Sequence, residues 1–121
     1  MIKSDEIPAR LRERLPRFAE FITQSVAELG DAVSYPMLGY IVGTLFSEWR
    51  QEPSQLGLMH EIQVLFDFTE KALENGDDRA RDLFVLEVVE PLIEPENARI
   101  AEFIYLGPWT RKELETMKAS R

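Results

Sequence analysis

The sequence predicts an all-α protein: an antiparallel helix-hairpin bundle or a short helical stack of about six to seven helices. Three observations carry that expectation. Apolar residues recur at three- and four-residue steps almost from end to end. No alternating apolar/polar run is bounded by hairpin residues. The breaks between successive helical runs are short and rich in proline and glycine, which leaves consecutive helices side by side and antiparallel. The 121 residues suit a single domain, 1–121. A chain of this size buries about two thirds of its unfolded surface, enough for a core without covalent staples.

The first helical run extends from about Pro8 to Leu29, with Ile7, Leu11, Leu15, Phe18, Ile22, Val26 and Leu29 in step. Pro16 interrupts it, because proline lacks an N–H and crowds the carbonyl four residues back, so a break is expected near Leu15. Gly30-Asp31 ends the run. Ser34 is the expected N-cap of the next helix, with Pro36 in its first turn and Leu38, Ile41, Val42, Leu45, Phe46 and Trp49 inward. Gly39 and Gly43 open one face of that helix to close approach. Glu52-Pro53-Ser54 is the expected linker and cap of a helix that runs to about Asn75 and buries Leu58, Ile62, Leu65, Phe66, Thr69, Ala72 and Leu73. Gly76 follows as the residue just past its end.

Asp77 or Asp78 starts the next helix, whose Leu83, Phe84, Leu86, Val88 and Val89 are apolar nearly all round, as in a central, mostly buried helix. Pro91 limits it. Glu94-Pro95-Glu96 begins a shorter helix with Ile100, Phe103 and Ile104. Leu106-Gly107-Pro108 breaks the chain again before a last amphipathic helix from Trp109 to about Lys118.

Charge narrows the classes of function. The formal net charge is −8, with 22 acidic against 14 basic side chains. The asymmetry is internal: residues 48–102 carry five basic and fourteen acidic side chains, a net of −9, whereas residues 103–121 are net +2. An acidic middle repels nucleic acid and anionic membranes, whose binding rests on Lys and Arg contacts with phosphate. It would attract a basic protein partner and speed the encounter; the alternative is that a negative surface simply keeps a small protein soluble. No basic-then-apolar leader precedes the first helix. The most apolar window, residues 35–46, is shorter than the ~20 residues a spanning helix needs. A soluble, cytoplasmic protein is the expectation.

Little equipment for catalysis is visible. There is no cysteine, hence no disulfide, thiolate metal site or cysteine nucleophile. The single histidine, His60, lacks the glutamate three residues earlier of a di-iron bundle, since position 57 is glycine. It reads as a surface or boundary residue of its helix. No phosphate-cradling glycine loop follows a strand, and no serine sits in a nucleophile elbow. The expectation is no enzyme, no cofactor and no metal.

Two charged constellations remain. Arg10, Arg14 and Arg17 share one helical face, with Glu6–Arg10 and Glu13–Arg17 as favourable four-residue pairs. Glu87, Glu90 and Glu94 step by three and four beside a strongly apolar surface, with Asp82 one turn earlier. Partial burial there would raise a carboxylate's pKa. Trp49, Trp109, Tyr35, Tyr40 and Tyr105 are amphipathic and suit interfaces. Trp109, directly after Gly107-Pro108, stands out among them. The candidate protein-binding residues are therefore Asp82, Glu87, Glu90, Glu94 and Trp109.

Four segments of the second half also carry a resemblance. Asn75-Gly76-Asp77-Asp78, Asp82-Leu83-Phe84-Val85, Val89-Glu90 and Leu106-Gly107-Pro108-Trp109-Thr110-Arg111 resemble a bacterial family of small helical proteins of uncharacterised function. The resemblance covers about residues 54–115. It implies a HEAT-like helical stack and a likeness to the immunity proteins of polymorphic toxin systems. It brings no catalytic residues. Trp109 departs from the polar residue that the family pattern carries there. The leading expectation is a small acidic protein-binding module, an immunity protein that neutralises a toxin. The alternatives are a homo-oligomeric assembly protein and an enzyme using the same carboxylates.

Overall fold

The computed structural model describes residues 1–30 and 35–120, and among them the chain is all-helical. Six α-helices follow in order: α1 (Ile7–Arg14), α2 (Ala19–Leu29), α3 (Tyr35–Gln51), α4 (Leu56–Asn75), α5 (Asp78–Phe84) and α6 (Pro108–Ala119). This is the predicted all-α bundle. Helix α4 is its spine: α3, α5 and α6 all pack on it. One continuous core joins the elements, from Ile7 and Leu11 of α1 through Phe46, Phe66, Phe68 and Phe84 to Leu114 of α6. Phe46 and Phe66 stack with ring centroids 6.2 Å apart, and Phe68 meets Phe84 at 5.4 Å.

The break at Pro16 is present. Leu15 leaves helical geometry at φ −124° and ψ 70°, and Pro16–Phe18 forms a single 3₁₀ turn before α2. Gly30 ends α2 with φ 94°, a conformation that L side chains rarely adopt. Asp31 and the expected Ser34 cap lie outside the described residues. Pro36 stands in the first turn of α3 as predicted.

Four details differ from the sequence expectation. The N-cap of α4 is Gln55 rather than Ser54: its side-chain carbonyl accepts from the Leu58 N–H. Gly76 is extended, at φ −87° and ψ 161°, so positive φ is not the reason for glycine. Its reason is space, because a Cβ would collide with the Ala72 carbonyl and come within 3.1 Å of the Ala80 Cβ. Leu86 is 47% exposed although its neighbours Leu83, Phe84, Val88 and Val89 are fully buried. The short helix expected from Glu94 onward is a 3₁₀ turn over Ala98–Glu102, and Phe103, just past it, is exposed.

The departure with most consequence lies between α5 and Pro91. The helix widens into a π turn over Val85–Val89 and tightens into a 3₁₀ turn over Glu90–Ile93. Pro91 has no N–H for the carbonyl of Glu87, so an α-helical register cannot continue through it. The wider turn moves the hydrogen bond one residue on: the Glu90 N–H donates to the Val85 carbonyl. Pro91 thus changes the helix type rather than ending the helix.

The beginning of the chain is tied to the α4–α5 corner. Ile2 forms an isolated parallel bridge with Gly76: its N–H donates to the Asn75 carbonyl at 2.6 Å, and the Asp77 N–H donates to the Ile2 carbonyl at 2.9 Å.

Candidate functional site

The acidic set grows out of the N-terminus of α5. Asp77 is the N-cap, as predicted, with Oδ1 accepting from the Ala80 N–H at 2.8 Å. Oδ2 accepts from the Ser4 N–H at 2.8 Å, so one carboxylate caps a helix and pins the first residues of the chain. These backbone donors hold the Asp77 carboxyl below the usual carboxylate range. Asp78 and Asp82 follow on the exposed face of α5, and exposed Leu86 comes one turn after Asp82.

Beyond Leu86 the π turn reorders the predicted stripe. Glu87 is half-buried against α3, its Oε2 lying over Gly39, where a Cβ would stand only 2.9 Å away. Burial against that helix pushes the Glu87 carboxyl above its ordinary range, and the neighbouring charge of Glu90 adds to the shift. Glu87 and Glu90 are therefore brought together. Glu94, four residues on, accepts at Oε2 from the side-chain amide of Asn97 at 3.4 Å. The even three- and four-residue stripe read from the sequence assumed one α-helical register, and the π and 3₁₀ turns remove it.

The glycine pair of α3 also divides. Gly39 accommodates the Glu87 carboxylate, while a Cβ on Gly43 would meet nothing within 4 Å. Close approach by a neighbouring element occurs at the first glycine only.

Asn97 is a polar centre that sequence reading missed. It is 3% exposed. It accepts from Arg50 Nη1 at 2.6 Å and donates to the Pro91 carbonyl at 3.0 Å. It thereby ties the turn after the π segment to the end of α3. A turn-forming asparagine after Pro95-Glu96 carries no sequence signal for a partner 47 residues away.

The Leu-Gly-Pro segment has a clear structural explanation. Glu70 of α4 reaches across to the N-terminus of α6 and supplies its cap. Its carboxylate accepts from the Trp109 N–H at 3.0 Å, from the Thr110 N–H at 2.9 Å and from the Thr110 hydroxyl at 2.9 Å. Gly107 leaves room for this cap, because a Cβ there would displace the Glu70 carboxylate, with Oε1 only 2.5 Å away. Pro108 occupies the first helical position, where its missing N–H costs nothing. Two turns earlier on α4, Gln63 does the same for Tyr105: its Oε1 accepts from the Tyr105 N–H at 2.8 Å and its Nε2 donates to the Tyr105 carbonyl at 2.9 Å.

Trp109 itself is 43% exposed, and the Lys112 ammonium lies 6.0 Å from its ring centroid. Tyr105, 64% exposed, has the Arg111 guanidinium over its ring at 6.0 Å. Trp49, by contrast, is a core residue, packed 6.2 Å from Phe103, and its buried indole N–H has no acceptor among the described residues. Tyr40 is exposed and rests against Phe21 at 4.4 Å.

The N-terminal arginines do not act as one face. Arg10 pairs with Glu6 at 3.2 Å, as predicted. Arg14 lies over the Phe68 ring at 5.4 Å. Arg17 does not use Glu13. The break at Pro16 swings it to α3 and α4, where it meets Glu48 at 2.9 Å and Glu61 at 3.1 Å. These two carboxylates raise the Arg17 pKa further above its already high value, the Glu48 hydrogen bond contributing most. An open polar cleft of about 900 Å³ surrounds them, lined also by Gln51, Glu52 and Gln55.

His60 is exposed, as predicted. Among the described residues no group of three or more His, Asp or Glu side chains gathers to hold a metal ion. No helix among them is long and apolar enough to cross a membrane. Comparison with protein-family models, curated proteins and solved structures gives no match.

Proposed function

We propose that this chain is a small protein-binding module of the immunity type, a HEAT-like helical stack that acts in the cytoplasm by masking a basic surface of a bacterial toxin. The observation that carries the reading is Leu86, an apolar side chain 47% exposed, with Asp82 four residues before it and Glu87 and Glu90 one and four residues after it. An apolar anchor inside a charged rim is the usual anatomy of a binding centre. The overall −8 charge adds long-range attraction for a basic partner. The resemblance of residues 54–115 to small immunity-like helical proteins favours a toxin as that partner. Masking needs surface complementarity rather than chemistry, and Glu87 rests against a helix backbone.

The test is co-purification of the tagged protein from its native host at low and high salt, followed by affinity measurement with variants. A stoichiometric basic partner, lost as salt screens the contact, is expected. Asp82→Lys combined with Glu90→Lys, and separately Leu86→Ala, should each weaken it by about tenfold or more. A partner whose affinity is unchanged by both variants overturns the assignment of this face.

A further inference from the structure

The segment from Tyr105 to Lys112 has a surface chemistry opposite to that of the acidic middle. Residues 103–121 are net +2 in a chain of net −8. Within this segment two half-exposed rings, Tyr105 and Trp109, each carry a cation of the same chain above them, Arg111 and Lys112. The third such pair in the chain's last quarter, Arg99 over Phe103, differs in one respect: Arg99 is already engaged by Glu102 at 3.3 Å. Among the described residues neither Arg111 nor Lys112 forms an ion pair with a carboxylate. A guanidinium that covers a ring still has its N–H donors available to a carboxylate, which Arg binds with two parallel hydrogen bonds.

The platform is also held in place. Gln63 fixes the backbone of Tyr105 at both its N–H and its carbonyl, and Glu70 fixes the N–H groups of Trp109 and Thr110. Gln63 and Glu70 are seven residues apart on α4, about 10 Å along its axis. Both ends of the segment are therefore clamped to the spine of the bundle, and little ordering is left to lose on binding. Tyr, Trp and Arg on a rigid, half-exposed surface are the residue types that dominate binding energy at interfaces.

We propose that Tyr105, Trp109, Arg111 and Lys112 form a second docking surface, which receives a carboxylate-bearing segment of a partner protein, its carboxylates on Arg111 and Lys112 and an apolar side chain between the rings. None of these four residues belongs to the Leu86 face, and the proposal does not rest on that reading. Aromatic rings with cations also suit single-stranded nucleic acid. A phosphate track, however, demands a run of cations, and beside the Tyr105 clamp α4 supplies a carboxylate, Asp67, which accepts from Gln63 Nε2 at 3.0 Å. One or two carboxylates need only the two cations present.

The experiment is selection of a displayed library of random twelve-residue peptides on the intact protein, with counter-selection on Arg111→Glu/Lys112→Glu. Anisotropy titration of the selected peptides and of a labelled oligothymidylate follows. Both substituted side chains are exposed, and the Glu70 cap uses no side chain of Trp109, Arg111 or Lys112, so circular dichroism and Tm should be close to wild type for this variant and for Trp109→Ala. Enriched peptides should combine Asp or Glu with an aromatic or large aliphatic residue, and should lose about tenfold in affinity with Trp109→Ala or Arg111→Ala/Lys112→Ala. Asp82→Lys/Glu90→Lys should not weaken their binding. Enrichment of basic or uncharged peptides, or none, overturns the proposal. So does tighter binding of oligothymidylate than of any selected peptide, which would assign the surface to nucleic acid.

Discussion

Replacing Glu70 by alanine removes one carboxylate and strands three donors. The N–H of half-exposed Trp109 regains a partner from water. Thr110 is fully buried, and both its N–H and its hydroxyl rely on Glu70. An unmet buried polar group costs about 1–3 kcal/mol, and loss of an N-terminal cap costs about 0.5–2 kcal/mol. These overlap, so the substitution should destabilise the protein by about 2–3 kcal/mol. Melting entropy scales at about 2.1 cal/mol/K per residue, so for 121 residues a loss of that size lowers Tm by about 8–12 °C. Urea denaturation read by circular dichroism gives the free energy directly, and an unchanged slope would confirm that the effect is on stability. Thr110→Val alone should cost about 1 kcal/mol. Because the two side chains share a bond, the double variant should cost about 1 kcal/mol less than the sum. Glu70→Ala within 0.5 kcal/mol of wild type, or strict additivity with Thr110→Val, would refute the cross-helix cap.

Three further outcomes follow from the same geometry. The folded-state pKa of Glu87 lies above its unfolded value, so its ionisation opposes folding, the penalty being absent at low pH and growing as pH rises past about 4.5. Glu87→Gln should therefore gain stability over wild type at pH 7.5 and lose that advantage at pH 4 in parallel urea titrations; a gain that does not vary with pH would mean the carboxyl is not desolvated. Asp77 behaves in the opposite sense: its folded pKa is depressed, so its contribution is present above about 3.8 and lost as pH falls through the folded value. Asp77→Asn should lower Tm at pH 7, and the gap should close in acid; a constant gap would assign the loss to shape rather than charge. Gly43→Ala, with open space at the new Cβ, should stabilise α3 by about 0.5–1 kcal/mol. Gly39→Ala should gain less because it displaces Glu87, and should recover the difference when combined with Glu87→Ala; equal gains at both glycines would contradict the packing of Glu87.

What could be read in advance was local. Helical periodicity, the proline at 16, the glycine at 30 and the aspartate cap at 77 each act within a few residues, and each stands where the sequence places it. What could not be read was carried by side chains meeting across the chain. Arg17 chose Glu48 and Glu61 over the nearby Glu13 because Pro16 turned its helix away. Glu70 and Gln63 look like ordinary solvated residues of a long helix, and only the packing of α6 gives them their roles. The Leu-Gly-Pro-Trp-Thr pattern attracted attention as a motif, and its glycine and threonine are accounted for by the cap they share with Glu70. The even spacing of the acidic stripe is lost for a different reason. A proline at 91 forced a change of helical register, and spacing arguments assume one register throughout.

The bridge between Ile2 and Gly76 sets an order of events during synthesis. Chain elongation proceeds at about 5–20 residues per second, so the 75 residues from Ile2 to Asp77 take about 4–15 s to add. Helices form in about a microsecond. At 8 and 11 residues α1 and α2 are too short to be stable alone, so this part of the chain lacks its final packing partner for seconds before the carbonyl of Asn75 and the carboxylate of Asp77 leave the ribosome. During that interval Ile2 and Ile7 present the apolar surface that the finished protein hides. Arrival of the α4–α5 corner is then the step that closes the start of the chain, and a pause in translation just before residue 75 would prolong the period in which this surface is open to a chaperone or to misassembly.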